Sequence, residues 1–233
     1  MTLGIAKASK LRPQPKSILR PGDVLLCRGD GAFDVTRRVI ASKTGSQYTH
    51  AAIYLGEGMV LEAVRPRVQK VPLDELLERY AHVAVFRQPD AWMPDRIQAL
   101  AFFASKSVIA KARYNLGGAL KIFDAKADHQ NTVYERLDAY FKDPKSVSWS
   151  EKEEYFCSEL VVDCYIVAGF IDPSAIAVYQ SHTYSPGDLA EDPTFGTFAG
   201  YISGRPGYTI PSSDEFYGRT TFDEIFGRPP SDA

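Results

Sequence analysis

Two of the three cysteines in this chain, Cys157 and Cys164, lie seven residues apart in "EKEEYFCSELVVDCYIVAG" (residues 151–169), where a charged run gives way to an apolar helical pattern. A helix running from Ser158 sets Leu160, Val161, Cys164, Val167 and Ala168 on one face and ends at Gly169. Cys164 is then a core residue. Cys157 lies one turn earlier, at the helix N-terminus, where unpaired backbone N–H groups and the positive end of the helix dipole favour an anion. A thiolate is such an anion, and a thiol held there beside a cationic histidine ionises far more readily than a free one. Many buried cysteines begin helices for no chemical reason, so a base is the further requirement.

The candidate base lies in "THAAIYLGEGMVLEA", two β-like runs joined by Gly56, Glu57 and Gly58. With a three-residue loop, Leu55 opposes Met59, Ala52 opposes Glu62 and His50 opposes Val64. His50 and Glu62 then share a face on a diagonal, within reach of one another. A one-residue slip would send Glu62 to the other face. A lone strand histidine is usually a satisfied half-buried residue, and a lone strand glutamate usually faces solvent. Together with a cysteine at a helix start, the pair follows the logic of thiol hydrolases: nucleophile, base, and a third group that holds the ring. The backbone N–H of Cys157 would help to hold the oxyanion. Tyr48, two residues before His50, is the candidate second donor, with a core or surface tyrosine as its other reading.

The remaining ligand-type residues carry less. There is no H-E-x-x-H and no paired C-x-x-C, so neither metal nor cofactor is expected, although His50, Glu62, His82 and Cys157 could supply ligands. His82 opens a strand, His129 lies in a polar stretch, and His182 falls in "QSHTYSPGDL"; none is assigned to the site. Cys27 reads as strand core.

These groups need a scaffold. The sequence predicts a strand in "PGDVLLCR" (21–28), a helix in "FDVTRRVIASKTG" (33–45), the hairpin over 48–64, a helix at 72–80 with proline in its first turn, and a strand at 82–89. An amphipathic helix follows at 94–113, with Ile97, Leu100, Ala101, Ala104 and Val108 on one side. The organisation expected is a loose N-terminal arm over 1–20, one domain over 21–203 with a mixed-charge insertion at 124–154, and an extended tail over 204–233. The insertion is a solvated excursion with a helix at "VYERLDAYF", or a lid. The tail, rich in Gly, Pro, Ser and aromatics, is expected to wrap over the surface with little regular structure.

Composition narrows the setting. With 233 residues, 45% of them hydrophobic, the chain can bury the core of one large domain. A formal charge of −2 gives no general attraction to nucleic acid, so no nucleic-acid partner is expected. Three cysteines make no disulfide framework, and free thiols imply a reducing compartment. The first residues lack the apolar core of a secretory signal, and no apolar run is long enough for a membrane helix. The expectation is a soluble protein made in the cytoplasm, with export by a signal-independent route left open.

"RPGDVLL", "YTHAAIYLG", "VLEA", "YFCSELVVDCY" and "TYSPGDLAED", spread from about residue 20 to 195, together resemble the circularly permuted branch of the NlpC/P60 superfamily, the YiiX/YebB-like papain-fold cysteine hydrolases. In that branch the histidine strand precedes the cysteine helix, as here. The resemblance implies Cys157 as nucleophile, His50 as base and Glu62 as the group that orients it. It also implies an α+β, papain-like fold, an antiparallel sheet or half-barrel packed on the nucleophile helix. Relatives cleave amide bonds, often in peptidoglycan stem peptides, and others act on lipid or N-acyl substrates. The function expected is a cysteine peptidase or amidase acting on a peptide or peptidoglycan fragment; an exported antibacterial effector, with a secretion-machine carrier or immunity protein as partner, a phage lysis protein, and a cytosolic amidase with an unrelated substrate are settings the sequence leaves open. The alternatives are a lipid-directed acyltransferase or thioesterase-type hydrolase with the same triad, and a non-catalytic papain-like binding module.

Overall fold

The computed structural model describes residues 12–29, 46–89, 93–109, 111–146 and 148–227. The helix expected at 33–45 lies outside them. Eight strands form one curled half-barrel sheet: β1 (Val24–Arg28), β2 (Tyr48–Gly56), β3 (Met59–Val64), β4 (Arg67–Pro72), β5 (His82–Arg87), β6 (Arg113–Tyr114), β7 (Glu154–Tyr155) and β8 (Thr197–Ile202). Their order is β7-β6-β4-β3-β2-β1-β5-β8. All neighbours are antiparallel except β6 and β7. The fold is thus mixed α+β, as the sequence pattern and the resemblance imply.

β1, central and apolar in Val24, Leu25, Leu26 and Cys27, is covered on both faces. One face, with Val24, Leu26, Ala51, Ile53, Leu61 and Ala84, packs against Leu160, Val161 and Cys164. The other, with Leu25, Cys27, Ala52, Val60 and Val83, packs against Leu73, Leu76, Leu77 and Tyr80. These come from the two helices that matter for the site. The first is α1 (Leu73–Glu78), begun by Pro72; α2 (Pro94–Ile109) and α3 (Leu116–Lys142) follow, and the second, α4 (Cys157–Val167), comes after β7. Further along, α5 (Pro186–Glu191) and α6 (Phe222–Phe226) are short.

Four expectations change. A strand, β4, appears where none was read, pairing with β3 along its whole length. In α2 the buried positions among the described side chains are Leu100, Phe103 and Ala104, while Ala101 faces solvent and Val108 lies outside the described side chains. The short helix expected at "VYERLDAYF" belongs to a 27-residue helix, α3, started by Asn115, whose side chain accepts from the Gly118 N–H at 2.7 Å. Finally, the tail does more than cover the surface, because Ile210, Asp214, Phe216 and Phe222 are buried.

Candidate active site

The hairpin sets the geometry. Ala52 opposes Glu62, Ile53 opposes Leu61 and Tyr54 opposes Val60, and then the register slips, with Gly56 opposing Met59 and Leu55 left over. The turn therefore has two residues, Glu57 (φ 51°) and Gly58 (φ 69°), both in the left-handed conformation that a tight two-residue hairpin needs. The bulge at Leu55 restores the pairing that a three-residue loop would have given, so His50 and Glu62 share a face. His50 Nε2 lies 2.9 Å from Glu62 Oε2.

β2 and β3 pair only from Ala52 and Glu62 towards the turn, while β2 continues back along β1 through His50 and Ala51. The opening left beside Ala51 receives the start of α4. Cys157 is the first residue of that helix, with Phe156, in extended conformation, as its N-cap. His50 and the backbone N–H groups of Ala51 and Ser158 bear on the sulfur, each favouring the thiolate. Since Nε2 of His50 is taken by Glu62, Nδ1 is the nitrogen left for the sulfur. Cys157 and His50 are each 5% exposed and Glu62 is fully buried.

Such burial makes the charges interdependent. For Cys157 burial works to raise the thiol pKa, yet the bond to His50 and its charge, helped by the two N–H groups, hold it below the ordinary thiol value. For His50 burial opposes the cation, and the bonds to Cys157 and then Glu62 outweigh it, holding the pKa up at about 9. For Glu62 burial again opposes charge, and His50, then Arg79, bring the pKa down to about 2. The resting state these shifts favour is thiolate, imidazolium and carboxylate.

Three residues missed in the sequence complete the surroundings. Gln69 Nε2 donates to Glu62 Oε1 at 2.9 Å, and Arg79 Nη2 donates to the same oxygen. The ring of Tyr80 stacks on that of His50, centroids 5.6 Å apart and planes within 2°. Gln69 sits directly opposite Glu62 on β4, so reading β4 as a strand would have found it. Nothing in the sequence signals Arg79 or Tyr80.

Tyr48 does not join the group. A one-residue bulge at Thr49, where Cys27 opposes His50 but Arg28 opposes Tyr48, turns Tyr48 to the face opposite His50. Its hydroxyl donates to Asp214, at 3.1 Å from Oδ1 and 3.0 Å from Oδ2, and sits 3.1 Å from His82 Nε2. It has no role as oxyanion donor in this arrangement. Cys164 and Cys27 are fully buried, and burial pushes the Cys164 thiol well up. Among the described residues no group of three or more His, Cys, Asp or Glu side chains is arranged to hold a metal ion, and no helix is long and apolar enough to cross a membrane.

An antiparallel half-barrel whose histidine strand precedes the helix carrying the cysteine is the papain-like architecture in permuted order. Residues 18–123 match the family described as permuted papain-like amidase enzymes, YaeF/YiiX, and the comparisons support the permuted papain-like family for this chain. The matched span contains His50 and Glu62 and ends before Cys157. A curated relative, the probable lipoprotein peptidase YaeF of Escherichia coli, is 30% identical over 181 residues, covering 73% of this chain. The chain spans 62% of that relative's length. A crystal structure of the metalloprotein YiiX from Escherichia coli aligns at 19% identity with a TM-score of 0.43, over 64% of this chain and 66% of the other.

Proposed function

We propose that this chain is a thiol-dependent amide hydrolase acting through Cys157, His50 and Glu62. The observation that carries the reading is the His50 ring, joined to Glu62 at 2.9 Å on one side and to a thiol at the mouth of a helix on the other. The family's description as amidases supports the reaction class.

The thiolate of Cys157 attacks an amide carbonyl, and the oxyanion is met by the Cys157 backbone N–H in the first turn of α4. His50, an imidazolium, protonates the leaving nitrogen as the C–N bond breaks, leaving a thioester and a neutral ring. That ring then takes a proton from water as the oxygen adds to the thioester carbonyl. Collapse frees the carboxylic acid and returns the thiolate beside the imidazolium. Glu62 keeps the ring in register through both steps.

For the substrate we propose peptidoglycan stem peptides, the chain acting as an exported effector with an immunity protein as its partner. The test is mass spectrometry of peptidoglycan digests with wild type, Cys157→Ala and His50→Ala. New amine and carboxyl ends should appear in the stem peptide with wild type, with each variant slower by about a thousandfold. Full activity in either variant would remove the triad. Release of fatty acid from acyl-lipids with intact peptidoglycan would keep the triad and replace the substrate.

A further inference from the structure

We propose that the C-terminal end of α1 is a positioning element of the active site, in which Arg79 keeps the buried charge of the triad balanced through turnover and Tyr80 fixes the plane of the His50 ring. The inference rests on the Cys157, His50 and Glu62 reading.

Among the described residues, the groups that face the His50–Glu62 pair come from four elements: Cys27 on β1 directly across from His50, Gln69 on β4 across from Glu62, Arg79 and Tyr80 at the end of α1, and Cys157 on α4. Arg79 alone among them is a permanent cation. Its guanidinium donates to Glu62 Oε1, and the other oxygen is left for His50. It also lies 5.8 Å from the centroid of the Tyr80 ring, which is itself stacked on His50. Two consecutive residues thus clamp two members of the triad.

The charge count gives the clamp its purpose. At rest the site holds a thiolate, an imidazolium, a carboxylate and a guanidinium, which sum to zero. In the acyl-enzyme the sulfur is a thioester and His50 is neutral, and the carboxylate and guanidinium again sum to zero. Without Arg79 both states would carry an uncompensated negative charge on side chains that are almost wholly buried, the arrangement that proteins relieve by taking up a proton. The site would take that proton at the thiolate or at Glu62, and either loss disarms the resting pair. Gln69, a neutral donor, orients the carboxylate and cannot balance it.

The test is the pH dependence of Cys157 alkylation by iodoacetamide, followed on the Cys157 peptide by mass spectrometry so that Cys27 and Cys164 do not contribute. Wild type, Arg79→Met and Arg79→Lys are compared, each checked for a native thermal transition; the Arg79 side chain is 30% exposed, so its truncation opens no sealed cavity. The expected result is an acid limb in wild type well below that of a free thiol, moved up by about one pH unit in Arg79→Met and largely restored in Arg79→Lys. An unmoved limb in a folded Arg79→Met protein overturns the inference and leaves the triad intact, because a merely structural arginine would change stability without changing thiolate formation. A wild-type Cys157 that alkylates with an ordinary thiol profile overturns the triad itself. A Tyr80→Leu variant separates the second half. A lower kcat at unchanged KM, with the alkylation limb in place, is expected, and unchanged kcat overturns the role of Tyr80.

Discussion

The His50–Glu62 contact is the residue-scale feature from which the pH behaviour follows. The reactive pair of thiolate and imidazolium exists above the lowered pKa of Cys157 and below the raised value of His50, about 9, so hydrolysis should follow a bell with a broad top. Glu62 is one cause of the raised value, after the bond to Cys157. Replacing it with glutamine removes that cause, and the alkaline limb of kcat/KM in Glu62→Gln should move down from about 9. A limb that stays in place would mean that the carboxylate does not act on the ring. Stability follows the same linkage. The share owed to the His50 cation is fully present below the ordinary imidazole pKa and is lost as pH rises through about 9. The share owed to the Glu62 anion is present above the ordinary carboxylate range and is lost as pH falls towards about 2.

At the scale of elements, the nucleophile helix depends on one lysine. Lys152, just before β7, reaches Glu159 Oε1 at 2.8 Å, Asp163 Oδ2 at 3.1 Å and Ser181 Oγ at 2.5 Å. Glu159 in turn accepts from the Phe156 N–H at 3.3 Å, closing the first turn of α4 one residue from Cys157. Both carboxylates are buried, so Lys152→Met leaves them without a cation and should cost about 3 kcal/mol in urea unfolding. Burial already holds the Glu159 pKa above its ordinary value, which means that the folded chain takes up a proton there more readily than the unfolded one. The deficit of the variant should therefore shrink as the buffer is acidified towards the carboxylate range, and a deficit independent of pH would show that charge is not its cause.

The elements were unequally legible in the sequence. The Cys157 helix was readable from one apolar stripe, and the hairpin from its glycines. The Ala52–Glu62 pairing came out of a three-residue loop, although the chain uses a two-residue turn and a bulge at Leu55 to reach it. Bulges leave no mark in the sequence, and the second one, at Thr49, is why Tyr48, two residues before His50, does not share its face. β4 was hidden because Arg67, Gln69 and Lys70 interrupt its apolar positions, Val68 and Val71 being the buried ones. Arg79 was beyond reach for another reason: its role depends on where the end of α1 docks.

At the scale of the whole molecule, the Gly, Pro and Ser of the tail after residue 204 suggest a covering, while its aromatics include Phe216 and Phe222, which the structure buries. The chain instead returns to place Asp214 against the half-barrel on the face opposite His50. That carboxylate accepts from Tyr201 Oη and Arg28 Nη1, both at 2.7 Å, from the Phe216 N–H at 3.0 Å and from the Tyr48 hydroxyl, and it lies 2.9 Å from His82 Nε2. Its neighbours hold the lead-in to β2, with Gln47 Nε2 donating to the Ser213 carbonyl at 3.1 Å and Ser46 Oγ to Glu215 at 2.8 Å. The tail therefore secures the strand that carries the candidate base. Asp214→Ala strands a guanidinium and two tyrosine hydroxyls beside a buried histidine, and should cost about 3–5 kcal/mol in urea unfolding. A tail that only lay on the surface would lose no more than about 0.5 kcal/mol, so the size of the loss decides between the two pictures. The pH course gives an independent check. Burial opposes the charge on Asp214, while the bonds from His82 and Tyr201 outweigh it and keep the carboxyl well below its ordinary value. Its contribution is then fully present above the ordinary carboxylate range and survives mild acid, being lost only as pH falls through that lowered value, so wild type and variant should converge in strong acid alone.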